Sequence, residues 1–329
     1  MSVLRPTLAC WVLAVLLAPA QVVADGNALL VRMNQAFAEL DYDGVFTYAA
    51  GTDLTALRVV HKVVDGTQRE RLIHLNGAPR EIIRHGEDVI CVVTPGDDIA
   101  VLEQAIPAGP FARAFVREFE RLADSYRVDT MGEGRVAGRQ AVRVAVSPLD
   151  EHRYGFRLWL DAETSLLLRS ELVDHDGERL EVFQFSQVRF GDEVAPEALE
   201  PEEISGSMVS HLTLKAPTEL PQNEAGQSPR RWSVGWLPQG FKMAAQDLRR
   251  RPADAQDVTS MVYSDGLATF SIFIESMPET GAAPMISQSG ATVAITQGVQ
   301  AFGRRYLVTL VGEIPSATGQ KVLTSLAGA

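Results

Sequence analysis

Apolar positions along this chain follow two periods, and the period of two dominates. Near the start Leu29, Leu30, Met33, Phe37 and Leu40 fall on one stripe, with Arg32, Asn34, Gln35 and Glu39 elsewhere, which predicts an amphipathic helix. Asp25 or Asn27 can cap it, and Asp41-Tyr-Asp-Gly44 ends it. Strand-like runs then follow in series at Val45–Ala50, Leu57–Val64, Arg69–Leu75, Glu81–Arg84, Val89–Val93 and Ile99–Leu102, with Gly66, Gly77, Gly86 and Pro95-Gly96 as turns. A second helix is predicted over residues 110–125, where Phe111, Phe115, Phe119 and Leu122 recur at helical spacing. Strands resume at Tyr126–Thr130 and Ala141–Val146.

Three further runs, Arg157–Asp161, Leu166–Asp174 and Arg179–Phe185, are stitched by two short turns. Such a meander offers a surface on which something can lie, and it supplies no obvious catalytic group. A long antiparallel succession with two helices predicts a strongly curved, half-closed sheet whose helices cover its concave side. The apolar mouth of such a sheet suits an acyl chain or a peptide.

After residue 222 the pattern changes. Ser264-Asp-Gly-Leu is a turn signal between strand runs, and Ala268, Phe270, Ile272 and Ile274 form an apolar set alternating with Leu267, Thr269, Ser271 and Phe273. The first set should face a core. Leu307–Val311 continues as a strand, and Ser316 or Thr318 caps a final helix through Leu326. Together these predict a small sheet backed by one helix. The segment before it, from Leu214 to Pro229, is rich in Pro, polar and small residues and reads as a linker.

Composition adds the compartment and removes several function classes. Met1–Ala24 holds one basic residue, Arg5, then an apolar run from Leu8 to Leu17 and small residues at cleavage spacing. That is the order of a secretory signal peptide, and the run is shorter than a membrane span needs. Without the leader Cys91 is the remaining cysteine of two, in an apolar strand where a small buried hydrophobe is expected. The formal charge is -12, and the acidic excess sits before residue 222, which argues against nucleic acid. The 6 histidines show no His-x-x-x-His or His-Glu-x-x-His spacing, and there is no Gly-x-Ser-x-Gly elbow or Gly-rich phosphate loop. His61 and His74 sit among charged neighbours and are expected on an exposed face. No enzyme and no cofactor are expected.

Two constellations in the smaller part could bind a partner. Trp232 and Trp236 lie four apart, as a peptide-stacking platform or as core with a lid over the sheet edge. Arg249-Arg-Arg251 could hold carboxylates or phosphates with paired hydrogen bonds, or could end a helix and stabilise its dipole.

The pattern Arg157-Leu-Trp-Leu-Asp-x-Glu-Thr-x-Leu-Leu-Leu-Arg-Ser-Glu-Leu172, preceded by Tyr154-Gly-Phe, resembles the MucB/RseB family. So do Arg69-Glu-Arg-Leu, Pro79-Arg-Glu-Ile-Ile-Arg84, Met33-Asn and Leu40-Asp-Tyr-Asp-Gly-Val-Phe-Thr-Tyr48. In the smaller part Trp236-Leu-Pro-Gln-Gly-Phe241, Val262–Glu275 and Val311-Gly-Glu-Ile-Pro-Ser-Ala-Thr318 continue the resemblance, which spans nearly the whole mature chain. It implies an α+β protein: a large lipoprotein-carrier-like (LolA-like) half-closed antiparallel β-barrel with covering helices at 25–215, a linker at 216–229 and a smaller α+β domain at 230–329.

It also implies a periplasmic regulator of the sigma-E (AlgU-type) envelope stress response. Such a protein would bind the periplasmic segment of a membrane anti-sigma factor (MucA/RseA-like), shield it from proteolysis, and release it on meeting lipid, lipopolysaccharide or mislocalised lipoprotein. The alternative is a periplasmic lipid or lipoprotein carrier, and a homo-oligomer is left open. Candidate partner-binding residues are Trp232, Trp236, Arg249, Arg250, Arg251, Tyr263 and Phe273. Candidate lipid-cavity residues are Phe46, Phe111, Phe115, Phe119, Trp159 and Phe183. One departure from the family pattern falls between Arg305 and Val308, where Tyr306-Leu307 stands in place of a longer turn.

Overall fold

The computed structural model describes residues 25–86, 88–93, 122–201, 208–213, 232–250, 257–277 and 283–328. The leader, the strand expected at Ile99–Leu102, Phe111, Phe115, Phe119, the linker and Arg251 lie outside the described residues.

Helix α1 (Gly26–Glu39) begins where the Asp25 carboxylate accepts the Asn27 backbone N–H at 3.1 Å. Its apolar stripe is buried through Leu29, Leu30, Met33 and Phe37. The helix stops at Glu39 and strand β1 (Tyr42–Ala50) begins three residues before the expected Val45. Tyr42 makes the difference: it is buried, lies edge-on to Phe37 at 6.4 Å and takes a ladder position opposite both Phe190 and His61. Gly44 is required there, because a Cβ would stand 2.5 Å from the Phe185 ring.

Strands β2 (Asp53–Val64), β3 (Thr67–His74), β4 (Arg80–His85) and β5 (Asp88–Val93) complete a first antiparallel meander. A second comprises β6 (Tyr126–Val136), β7 (Arg139–Pro148), β8 (Gly155–Asp161), β9 (Leu167–Val173) and β10 (Arg179–Phe190). They join where β1 pairs with β10, Tyr42 opposite Phe190 and Ala50 opposite Glu181. Strand β11 (Met208–Thr213) adds to β5, giving, among the described residues, eleven strands in the order β11-β5-β4-β3-β2-β1-β10-β9-β8-β7-β6.

One face of this sheet curls around α1. The start of the helix abuts Val128 of β6 at Gly26, while Phe37 near its end packs beside β1 and β3. Residues from α1, β1, β2 and β6 to β10 share a single core that includes Phe46, Val59, Leu158, Leu160, Phe183 and Phe185. On the opposite face two single-turn 3-10 helices, Gly191–Glu193 and Pro196–Leu199, cover Val60 with Val194 and Leu199. Arg71 binds Glu81 through two hydrogen bonds of 2.9 and 2.7 Å beneath them.

The chain after Trp232 forms its own smaller unit. Its six-stranded sheet runs β13 (Lys242–Arg250), β14 (Asp257–Ser264), β15 (Thr269–Ser276), β18 (Arg304–Gly312), β17 (Thr292–Ala301), β16 (Met285–Ser289). A separate pair joins β12 (Trp232–Val234) to β19 (Leu326–Gly328), and α2 (Ser316–Thr324) lies on β17. Ala268, Phe270, Ile272 and Ile274 are buried as their alternation predicts, with Phe273 outward. The architecture is therefore α+β, a large curved antiparallel sheet followed by a smaller sheet domain.

Four local expectations need correction. The basic run does not end a helix, since Arg249 and Arg250 close strand β13. Helix α2 has Pro315 at its cap with no side-chain hydrogen bond, so neither Ser316 nor Thr318 caps it. Tyr306 and Leu307 lie inside β18; the hairpin turns at Phe302-Gly303, whose φ values of +50° and +70° fit a tight two-residue turn. Finally, His61 is fully buried rather than exposed. Its ring stacks on Tyr42 at 5.0 Å and its Nδ1 lies 2.8 Å from the Leu40 carbonyl, because the curl of β1 and β2 turns that face inward.

Candidate functional site: the joint between the two sheets

Between β7 and β8 the loop Leu149–Tyr154 is shaped by its own side chains. The Asp150 carboxylate accepts the His152 N–H at 2.9 Å and two Arg153 N–H groups at 3.0 and 2.9 Å. This local clasp aims the Arg153 guanidinium away from the large sheet and into the smaller unit. There it donates to Asp265 Oδ2 and to the Gln239 carbonyl, each at 2.5 Å. Both side chains of the Arg153–Asp265 pair are fully buried.

The Asp265 carboxylate is positioned from the other side. It sits in the β14–β15 turn, where Oδ1 accepts the N–H groups of Leu267 and Ala268 at 2.9 and 2.8 Å. Tyr126 of β6 donates its hydroxyl to Asp265 at 3.2 Å, and the Arg153 guanidinium lies over the Tyr126 and Phe241 rings at 5.4 and 5.2 Å. Gly240, at φ +86°, lets the chain pass so close that a Cβ would meet the Ser125 hydroxyl at 2.4 Å. Burial alone would raise the Asp150 carboxyl, but the hydrogen bonds from Arg153 hold it below its usual range. Burial likewise opposes the charge on Arg153, and its two carboxylates overcome that and keep its proton on.

Two further contacts flank this centre. His152 meets the Trp236 ring edge-on at 5.0 Å and lies 3.3 Å from the Thr318 hydroxyl, and the Lys321 ammonium stands 3.8 Å from the centre of the Trp236 ring. Glu181 of β10 accepts the Ala291 N–H at 3.0 Å and the Tyr48 hydroxyl at 2.6 Å, beside a cluster of Tyr154, Leu172 and Ala291. Burial and the Glu181 carboxylate push the Tyr48 phenol up.

Of the partner-binding candidates whose side chains are described, Trp236 alone is placed at this joint. Trp232 is buried against Phe302 and Tyr306 at 5.5 and 5.1 Å, and Tyr263 is buried on Phe270 at 5.2 Å, so both pack the smaller core. Phe273 lies outward on β15, away from that core. The side chains of Arg249 and Arg250 lie outside the described part of the chain. Sequence reasoning missed Arg153, Asp265, His152 and Glu181, which nothing in local periodicity distinguishes from surface charges.

The lipid-cavity candidates divide in the same way. Phe46 and Phe183 line a cavity of about 10 Å³ with Phe37, Tyr42, Val59, Glu70, Leu72 and Phe185. That space admits about one water, so it holds no acyl chain as it stands. Trp159 is elsewhere, with Arg169 and Arg143 stacked over its ring at 4.8 and 5.9 Å. Within the cavity wall burial pushes the Glu70 carboxyl up to about 7, against the pull of Arg84 at 3.5 Å. One Glu70 oxygen and the His61 Nε2 have no hydrogen-bond partner among the described residues.

Comparison with known proteins gives this geometry a context. The MucB/RseB N-terminal domain model matches residues 25–203 and the MucB/RseB C-terminal domain model matches residues 226–327. The sigma factor AlgU regulatory protein MucB of Pseudomonas aeruginosa is 34% identical over 311 residues, 94% of this chain and 92% of the relative. The structure of the Pseudomonas aeruginosa MucA/MucB complex matches with a TM-score of 0.75 and 33% identity, over 93% of this chain and 99% of that chain. A crystal structure of MucB matches with a TM-score of 0.64 and 30% identity, over 94% of this chain and 99% of that chain. With both domain models matched in order and this identity sustained along nearly its full length, the chain belongs to the MucB/RseB family.

Proposed function

We propose that this protein is a periplasmic regulatory binding protein, not an enzyme. It holds the periplasmic segment of a membrane anti-sigma factor, shields that segment from regulated proteolysis and releases it under envelope stress. The observation that carries the reading is the match, over 93% of the chain, to a structure of MucB bound to MucA. The secretory order of residues 1–24 supports the periplasm. The partner would contact both sheets, and Trp236, Phe273 and the end of β13 remain candidates for the smaller sheet's share of that contact.

Calorimetry with the mature chain and the purified periplasmic segment of the anti-sigma factor from the same organism tests it. Saturable one-to-one binding is expected, along with slower cleavage of the segment by its site-one protease. Absence of binding at tens of micromolar would overturn the reading. A lipid or lipoprotein carrier is the alternative, although the cavity of about 10 Å³ lined by Phe46 and Phe183 is by itself too small for an acyl chain.

A further inference from the structure

The buried residues of this protein fall into two main clusters, one around α1 and one around β15 and β18. What crosses between them is largely polar. Arg153 is the centre, with one guanidinium bridging Asp150 of its own loop to Asp265 and the Gln239 carbonyl of the smaller unit. Among the described residues, the apolar contacts across the joint include Leu267 against the large core and Ala291 against Tyr154 and Leu172.

A buried ion pair contributes little net stability, yet it is directional, and its hydrogen bonds are lost together when the geometry changes. A joint built this way fixes one relative orientation while leaving both cores able to survive its opening. The two MucB structures differ in how well they match this chain, 0.75 with MucA present and 0.64 without it, over 93% and 94% of its length. As a whole, the chain superposes better on the structure that contains MucA.

We infer that Arg153 is a positioning residue for partner binding: by closing on Asp265 and Gln239 it holds the two sheets in the orientation that the anti-sigma segment recognises. This rests on the function proposed above and assigns its control to the joint. A signal that opens the joint would release the segment without touching it, since a partner that binds one arrangement better than the other must be lost as that arrangement is depopulated.

The joint also offers its own test. A Cβ on Gly240 would lie 3.7 Å from the Ser125 Cβ, within the span of a disulfide, so Ser125→Cys with Gly240→Cys makes an oxidisable clamp across the two sheets. Asp265→Asn is the opening variant, because its side-chain oxygen can still cap the β14–β15 turn while the charge opposite Arg153 is removed. Arg153→Lys is the second, since an ammonium cannot serve Asp150, Asp265 and Gln239 at once.

The affinity of the fluorescently labelled periplasmic segment is measured for each variant, in the full mature chain, with and without reductant. Each opening variant should bind at least tenfold more weakly, and the oxidised clamp should restore binding to within about threefold of the unmodified chain. The reduced clamp should not. Unchanged binding by both opening variants would overturn the inference, as would failure of the oxidised clamp to rescue, which would mean that these residues touch the partner directly. If the unmodified chain itself does not bind, the proposed function fails, and this inference with it.

Discussion

Glu70 gives the sharpest quantitative handle on the large sheet. Its carboxyl is buried on the inner face among Phe37, Phe46 and Phe183, and burial raises it from 4.5 to about 7 despite Arg84. Between those two values the folded chain carries a proton that the unfolded chain has lost. Stability must therefore fall as pH rises through this window, and the full contribution is present only below about 4.5. The size of the shift corresponds to about 3 kcal/mol.

Glu70→Gln fixes the neutral form. Urea unfolding followed by circular dichroism at intervals from pH 4.5 to pH 8 should show the two proteins diverging by about 3 kcal/mol, the variant being the more stable at the alkaline end. Asp41, Asp43, Asp150 and Asp161 are all held low, so their contributions are lost only at pH values beneath this window. His61 and His74 are depressed by burial and act in the opposite sense near neutrality, but they are common to both proteins and cancel in the difference. Parallel stability curves across the window would refute the assignment of a neutral Glu70.

Leu160→Ala, at a fully buried position of the large core, should cost about 2–5 kcal/mol, read as a shift in urea midpoint with little change in slope. Gly44→Ala places a methyl 2.5 Å from the Phe185 ring and 2.9 Å from the Gln187 carbonyl, and should destabilise by about 1–3 kcal/mol; a neutral effect would show that β1 and β10 are packed differently. Cys91 is buried, so a disulfide-exchange reagent should label it only in denaturant, and rapid labelling of native protein would contradict its buried placement in β5, between β4 and β11.

Elements with strong periodicity were legible in the sequence. The α1 stripe and the Ala268–Ile274 alternation each specify which side is buried, because the period of a helix or strand converts spacing into a face. Strand ends were less legible: β1 takes in Tyr42 and Gly44, whose roles depend on Phe190 and Phe185 far along the chain. His61 was misread for a related reason, since its charged sequence neighbours point to the opposite face of β2. The joint was not legible at all. Arg153 and Asp265 are ordinary turn charges until the fold brings them together, and only the third dimension makes them a pair.

The seam between β1 and β10 has a consequence for how the chain reaches this structure. Each meander can form from neighbouring strands, but pairing Tyr42 with Phe190 requires both meanders to meet, after the closure of a long loop. Until then β1 and β10 are unprotected edges, and Phe46, Phe183 and Phe185 lack the partners that bury them. A newly made chain thus passes through a period when this aromatic cluster is open to other chains. Mutations at this seam should therefore lower yield by slowing folding before they lower the stability of the protein that does fold.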